Sequence, residues 1–424
     1  MNKKDLLLYA VTDRSWIKGE TLAEQVEKAL RGGVTFLQLH EKNPDEGEFM
    51  KEAVEIKTLC GKYHVPFVIN DNVKLAEKID ADGVHIREKN MDAGKVRKIL
   101  GRDKIIGVSV RTVKQAETAE KGGADYLSVD AISDTSTKSD AVKADKETLK
   151  EIAESVEIPV ISFCGTDETN VHELKETGIC GVAVISSAFK KQNIEESVRY
   201  LKKQVQKTFL PEMKGIIFDV DGTLLNTMVI WTDSGARYLR SIGIEAEEGL
   251  GDKLFAMTAD GGAEYLKENY HLPFTVQEIK KGILAMVEDA YYKYAEFKPG
   301  AKELLEELKK KNIPMTIASS TDSHLIRAVM ERLGYIDYFM DILSCSDYKT
   351  TKSEPKIFFE AIKIMGTKPE NTWIFEDGLY SILTGKKAGF NTVGVYDIVS
   401  HKDQEEIRRN VDIYVESLAG FEII

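Results

Sequence analysis

The sequence predicts an α/β protein of two domains: an N-terminal (β/α)8 TIM barrel over 1–210, then a Rossmann-like core with a helical cap over 211–424. Three observations point there. In the first half, about eight short apolar runs alternate with helical patterns. A further apolar strand, Gly215 to Phe218, then runs straight into acidic residues. Finally, a helical stretch of roughly 228–297 separates that strand from renewed strand–helix alternation after Pro299. A chain of 424 residues is also too long for one ordinary domain.

The eight runs are Leu6–Val11, Val34–Leu39, Pro66–Ile69, Gly83–Ile86, Ile105–Val108, Tyr126–Val129, Ile158–Phe163 and Gly181–Ile185. Continuous apolar runs between helices mark parallel strands buried on both faces. Eight of them favour a barrel over an open doubly wound sheet, which periodicity alone leaves in competition. Thr21 with Glu24 and Thr112 with Gln115 match capping boxes at helix starts, and Gly32-Gly33 and Gly122-Gly123 stop helices before strands. Thr208 to Lys214 is the linker candidate, with Pro211 ending the helix before it. In the second half Met315–Ala318, Thr372–Phe375 and Thr392–Val395 read as strands.

Composition narrows the function. With 58 Lys+Arg against 70 Asp+Glu the net charge is -12, which argues against nucleic acid or an anionic membrane as the main partner. Small anionic substrates remain compatible with it. Four dispersed cysteines without a CxxC pair indicate neither zinc nor a disulfide framework, and a cytoplasmic location is expected.

The chemistry of the second half gathers at strand ends. Phe218-Asp219-Val220-Asp221-Gly222-Thr223 places two carboxylates two residues apart just past a strand. One can attack phosphorus while the other handles the leaving-group proton. Ser319 ends a later strand, Lys352 offers a cation for a phosphate and the nucleophile, and Glu376-Asp377 ends another strand. Together they supply a nucleophile, an acid/base, a phosphate cradle and ligands for a hard cation. From about Lys214 onward these motifs resemble the haloacid dehalogenase superfamily, in the subgroup with a helical cap after the first motif. The resemblance implies an aspartyl-phosphate on Asp219, with Asp221 protonating the leaving alcohol and then activating water. It also implies Ser319 and Lys352 on the phosphoryl oxygens, and Mg2+ on Asp219, Glu376, Asp377 and the Asp221 carbonyl. Asn226 stands where many relatives carry Asp.

In the first half, Gln38-Leu39-His40-Glu41-Lys42 follows the second strand, Asn70-Asp71 the third and Thr135-Ser136-Thr137-Lys138 the sixth. All would converge on the C-terminal mouth of a barrel and suit a metal-bound polyphosphate. Gly165 and Ser186-Ser187 fall at the usual barrel phosphate site. Over about Leu7 to Lys203 this half resembles thiamin phosphate synthase, which joins a pyrimidine diphosphate to a thiazole phosphate and releases pyrophosphate. The resemblance implies Gln38, Lys42, Asn70, Ser109 and Lys138 on the pyrimidine diphosphate, with Mg2+ on Asp71. It implies Thr135, Ser136, Thr137, Gly165, Ile185 and Ser186 on the thiazole phosphate. His40 replaces the family's arginine, Asn90 falls where a second metal-binding Asp is expected, and Arg87-Glu88 replace Gly-Gln. Ser128, Asp130 and Cys164 replace glycines.

The combined expectation is a bifunctional enzyme that makes thiamin phosphate and hydrolyses it to thiamin. Two alternatives stand beside it. In one, a phosphatase acting on another small phosphomonoester, such as a sugar phosphate, carries an inactive ligand-binding barrel. In the other, the barrel is a scaffold for homo-oligomerisation.

Overall fold

Eight parallel strands pair each with the next and the last with the first, so the sheet of the first half closes into a barrel. The computed structural model describes all residues except 18, 41–45, 88–91, 131–145, 164 and 256, and of 46, 130, 252 and 255 only the backbone. The strands are β1 (Leu8–Val11), β2 (Phe36–Leu39), β3 (Phe67–Asn70), β4 (Gly83–Arg87), β5 (Ile105–Val110), β6 (Tyr126–Asp130), β7 (Val160–Phe163) and β8 (Val182–Val184). Each overlaps one of the eight apolar runs, and β3 to β6 extend one or two residues past theirs. The chain divides into two compact units, Met1–Leu210 and Pro211–Ile423.

The local signals act as their chemistry requires. Thr21 and Glu24 form a complete reciprocal capping box, and Gly33 closes that helix in the left-handed region at φ 102°. Thr112 forms only half a box. Its side chain accepts from the Gln115 N–H, but the Gln115 amide oxygen takes the N–H of Arg111 instead. The helix Ile194–Phe209 stops one residue before Leu210, which is extended because Pro211 disfavours helical backbone in the residue ahead of it.

The barrel interior is not purely apolar. Around Tyr9, Phe36, Val68, Tyr126 and Ile161 runs a chain of hydrogen bonds. Tyr9 Oη donates to Gln38 Oε1 (2.7 Å) and pairs with Tyr126 Oη (2.8 Å), which meets His85 Nδ1 (2.9 Å). His85 Nε2 meets Ser109 Oγ (2.9 Å) and Ser128 Oγ (3.1 Å). Ser128, one of the departures from the family pattern, thus has a buried partner. Burial pushes the His85 imidazole down to about 4, against the opposing pull of Asp71.

That shift has a signed consequence. Between pH 6.5 and about 4 the unfolded chain takes up a proton that the folded barrel does not. Barrel stability is therefore expected to fall as pH drops through this window, by on the order of 3 kcal/mol at its lower end. Denaturant unfolding between pH 7 and 4.5, read by hydrogen exchange of the β4 and β6 peptides, measures it. His85→Gln should flatten the slope, and an unchanged slope rejects His85 as its source.

In the second unit six parallel strands run in the order β11-β10-β9-β12-β13-β14: β9 (Gly215–Phe218), β10 (Met315–Ser319), β11 (Ile342–Ser344), β12 (Thr372–Glu376), β13 (Asn391–Val395) and β14 (Ile413–Val415). Strand order reverses around β9, so its C-terminal end opens onto the crevice where such sheets place ligands. The cap consists of the helices Met228–Ser241, Leu250–Phe255, Ala259–Asn269 and Val276–Tyr294. Its two connections meet beside each other: Leu225 bridges to Phe297, and the Asn226 N–H donates to Glu296 O (2.9 Å). Asn226 itself is exposed at this junction.

Candidate active sites

Register brings the acidic motifs of the second unit to one level. Phe218 of β9 pairs with Ile317 of β10 and Phe375 of β12, so Asp219, Ser319 and Glu376 all leave the sheet at the same edge. The turn after Asp219 needs glycine: Gly222 sits at φ +82°, and a Cβ there would meet Asp377 Oδ2 at 2.6 Å. Lys298 braces the same turn. Its ammonium donates to Gly222 O (2.6 Å), Tyr396 O (2.7 Å) and Asp397 Oδ2 (2.9 Å).

Asp219, Glu376 and Asp377 are all buried, and a ligand atom from each lies within 4.8 Å of the others. Lys352, 2% exposed, donates to Asp219 Oδ1 and to Glu376 Oε1 (2.8 Å). Burial raises the Asp219 carboxyl to about 7 despite the charge of Lys352. Burial, with Glu376 and Asp219 as neighbours, raises Asp377 well above the usual range. Burial also acts upward on Glu376, but the charge and hydrogen bond of Lys352 outweigh it and hold that carboxyl low. One ammonium among three buried carboxylates leaves negative charge uncompensated. Oxygen ligands with that deficit fit a hard divalent cation such as Mg2+. It would neutralise phosphoryl oxygens and lower the proton affinity of the carboxylates.

Asp221 is held apart from this cluster. Thr227 Oγ1 and Trp231 Nε1 (3.2 Å) donate to its Oδ1, and Thr321 Oγ1 donates to its Oδ2 (2.7 Å). Burial raises its pKa against all three bonds. A carboxyl with raised proton affinity beside a nucleophile suits a general acid. Thr227, Trp231, Thr321 and Lys298 have no motif around them, and sequence reasoning did not assign them these roles. Ser319 is buried at the end of β10, where its Oγ accepts the Thr321 N–H (3.1 Å).

Over these groups lies a cleft of about 690 Å³ that reaches from Asp219 and Asp221 up into the cap. On the cap side Met228, Trp231, Leu254, Met257, Ile283 and Leu284 line it. Leu284 and Met257 are 51% and 40% exposed. Lys280, also on the wall, is paired with Asp260 (2.7 Å). Tyr265 is not part of this wall and donates to Glu247 Oε1 (2.7 Å).

At the barrel mouth, Gln38 Nε2 donates to Asn70 Oδ1 (2.8 Å), and Asn70 Nδ2 to Asp71 Oδ2 (3.2 Å). Ser109 lies deeper, on His85 and Ser128. The His40 backbone is fastened to Thr12 Oγ1 (2.9 Å) just past β2. Gly165 follows β7 at φ +81°, with its carbonyl accepting from Asn170 Nδ2 (2.8 Å). Ile185 and Ser186 begin the short helix after β8. Lys42, Asn90, Thr135, Ser136, Thr137 and Lys138 lie outside the described residues. Among the described residues, three metal-ligating side chains come together only at Asp219, Glu376 and Asp377.

Comparison with known proteins finds a different family in each half of the chain. The sequence model of the family described as thiamine monophosphate synthase matches residues 8–188, and that of haloacid dehalogenase-like hydrolases matches 216–395. Thiamine-phosphate synthase of Clostridium tetani is 46% identical over 197 residues, covering 94% of that protein and 46% of this chain. The enzyme of Ruminiclostridium cellulolyticum is 44% identical over 200 residues, covering 95% of it and 47% of this chain. Among solved structures, thiamine phosphate pyrophosphorylase of Pyrococcus furiosus is 33% identical with a TM-score of 0.45, over 49% of this chain and 98% of that one. A β-phosphoglucomutase of Clostridium difficile aligns at 20% identity and a TM-score of 0.39, over 50% of this chain and 93% of its own.

Proposed function

Because the chain belongs to the thiamine-phosphate synthase family through its barrel and carries a haloacid dehalogenase-like hydrolase domain after it, we propose that the two act in succession. The barrel joins a pyrimidine diphosphate to a thiazole phosphate: the carbon–oxygen bond to pyrophosphate breaks and a carbon–nitrogen bond to the thiazole forms. The product is a phosphomonoester, which is the substrate class of the second unit. There Asp219 attacks phosphorus, Asp221 gives its proton to the leaving alcohol, and Lys352 and Ser319 hold the phosphoryl oxygens. Asp221 then takes a proton from the water that hydrolyses the aspartyl-phosphate. Thr227, Thr321 and Trp231 orient Asp221, and Lys298 positions the turn that carries both carboxylates. A hard divalent cation on Asp219, Glu376 and Asp377 would supply charge neutralisation.

One observation carries the substrate reading: Met228, Trp231, Leu254, Met257, Ile283 and Leu284 make the cap wall over the carboxylates largely apolar, with Ser234, Thr258 and the ion-paired Lys280 as its polar members. A sugar hydroxyl buried against Met228, Leu254, Ile283 and Leu284 would lose its water without gaining a partner, which is costly. An aromatic heterocycle would instead bury apolar area against them and against the Trp231 ring. The apolar share of that wall favours the heterocycle of thiamin phosphate over a hexose phosphate. The full chain with Mg2+ should hydrolyse thiamin phosphate at least about 100-fold more efficiently, as kcat/KM, than glucose 6-phosphate. It should also form thiamin when given the two precursors instead. Equal or reversed preference rejects the aromatic substrate. Hydrolysis without any coupled product leaves the phosphatase and removes the synthase.

A further inference from the structure

The barrel mouth holds a cation of its own, and it sits on the carboxylate that the family resemblance reserves for a metal ion. Arg87 ends β4 and closes onto Asp71. Its backbone N–H donates to Asp71 Oδ1 (3.1 Å), while Nε and Nη2 donate to Oδ2 at 2.9 and 2.6 Å. Asn70 Nδ2 adds a contact to Oδ2 at 3.2 Å. The backbone helps to keep this pose: Asp71 lies at φ +54°, with its N–H on His85 O at 2.8 Å.

These donors do not fit a divalent ion. An ion bound to Asp71 would stand within a few ångströms of the guanidinium and be repelled by it. A hard cation of this size draws on carboxylate oxygens. The other position expected to supply one carries Asn90, a neutral amide. Asp71 is thus the one carboxylate of the expected pair, and its charge is already matched.

We infer that Arg87 is the resident cation of the barrel: its guanidinium takes the place at Asp71 that a divalent ion would take, and the mouth recognises the diphosphate of its ligand with side chains alone. This rests on reading the mouth as a diphosphate site. The Arg87 side chain is 62% exposed, so its guanidinium is not used up by Asp71. A planar guanidinium presents paired N–H groups that match phosphate oxygens. The chain carries His40 where the family has an arginine, so Arg87 returns a guanidinium to the mouth from β4 instead of from the loop after β2.

The test uses the full chain and two readouts. Bound Mn2+ is counted by electron paramagnetic resonance in the native protein and in Asp71→Asn, a substitution that tolerates the left-handed backbone. Asp219, Glu376 and Asp377 of the second unit would take up an ion of their own, so the difference between the two counts is what matters. Inorganic pyrophosphate binding is then measured calorimetrically in EDTA for the native protein and Arg87→Ala. Equal Mn2+ counts, with at least about tenfold weaker pyrophosphate binding in Arg87→Ala, are expected. One ion fewer in Asp71→Asn shows that the barrel holds a metal after all and overturns the inference. Unchanged pyrophosphate affinity in Arg87→Ala overturns it as well. A native protein that binds no pyrophosphate, with or without metal, sinks the diphosphate reading beneath it, and the inference with that reading.

Discussion

Asp219→Asn should reduce phosphate release from thiamin phosphate by at least about 10⁴-fold while leaving the barrel's coupling reaction untouched. The amide keeps the shape of the carboxylate but cannot form an acyl phosphate. Fold is not the reason for the loss. Burial already raises the Asp219 carboxyl to about 7, and the cavity holds more negative charge than Lys352 offsets. Removing one charge relieves that excess, so the melting temperature of the variant is expected to match or exceed that of the native chain without metal. The measurement is a discontinuous assay from the two precursors, with thiamin and thiamin phosphate separated by chromatography. Thiamin phosphate should accumulate in the variant where the native chain yields thiamin. Retained hydrolysis sinks Asp219 as the nucleophile.

Why these residues could be found without a structure follows from the sheets. Parallel strands covered on both faces are nearly continuous apolar runs, so Leu6–Val11 and its seven counterparts stand out from the helices between them. Chemistry in such folds sits where the runs end, which is how Asp219, Ser319 and Glu376 come from three separate strands to one edge. The strands that escaped notice are β11 and β14. Each has three residues, Ile342–Ser344 and Ile413–Val415, too few for a run to separate from its surroundings.

The support around the carboxylates was illegible for a different reason. Thr321 reaches Asp221 across 100 positions of sequence, and Lys298 reaches Asp397 across 99. A threonine or lysine bears no mark of the partner it will meet, and only the closed topology supplies it. Arg87 was visible as a departure from the family pattern. Its three bonds to Asp71 depend on β3 and β4 lying side by side, with Asn70 paired to His85.

Lys352→Met separates the two services that this lysine performs. Methionine retains most of the buried stem but no charge, so packing changes little. What changes is the company of Asp219 and Glu376, which both lose the ammonium that is ion-paired with them. Breaking a buried ion pair by deleting one member costs about 3–5 kcal/mol, because the survivors remain buried and uncompensated. For a unit of this size that corresponds to a melting transition lowered by about 10 °C in EDTA. A divalent cation bound by the folded carboxylates stabilises by mass action, so Mg2+ should recover part of the loss. It should not recover turnover, which is expected to stay about 10²–10³-fold low, since a cation aimed at the phosphoryl oxygens has gone. Thermal melts with EDTA and with Mg2+, beside phosphate release from thiamin phosphate, measure both effects. A variant that melts with the native chain in EDTA would mean that the carboxylates are already neutralised by bound protons, and that Lys352 serves the substrate alone.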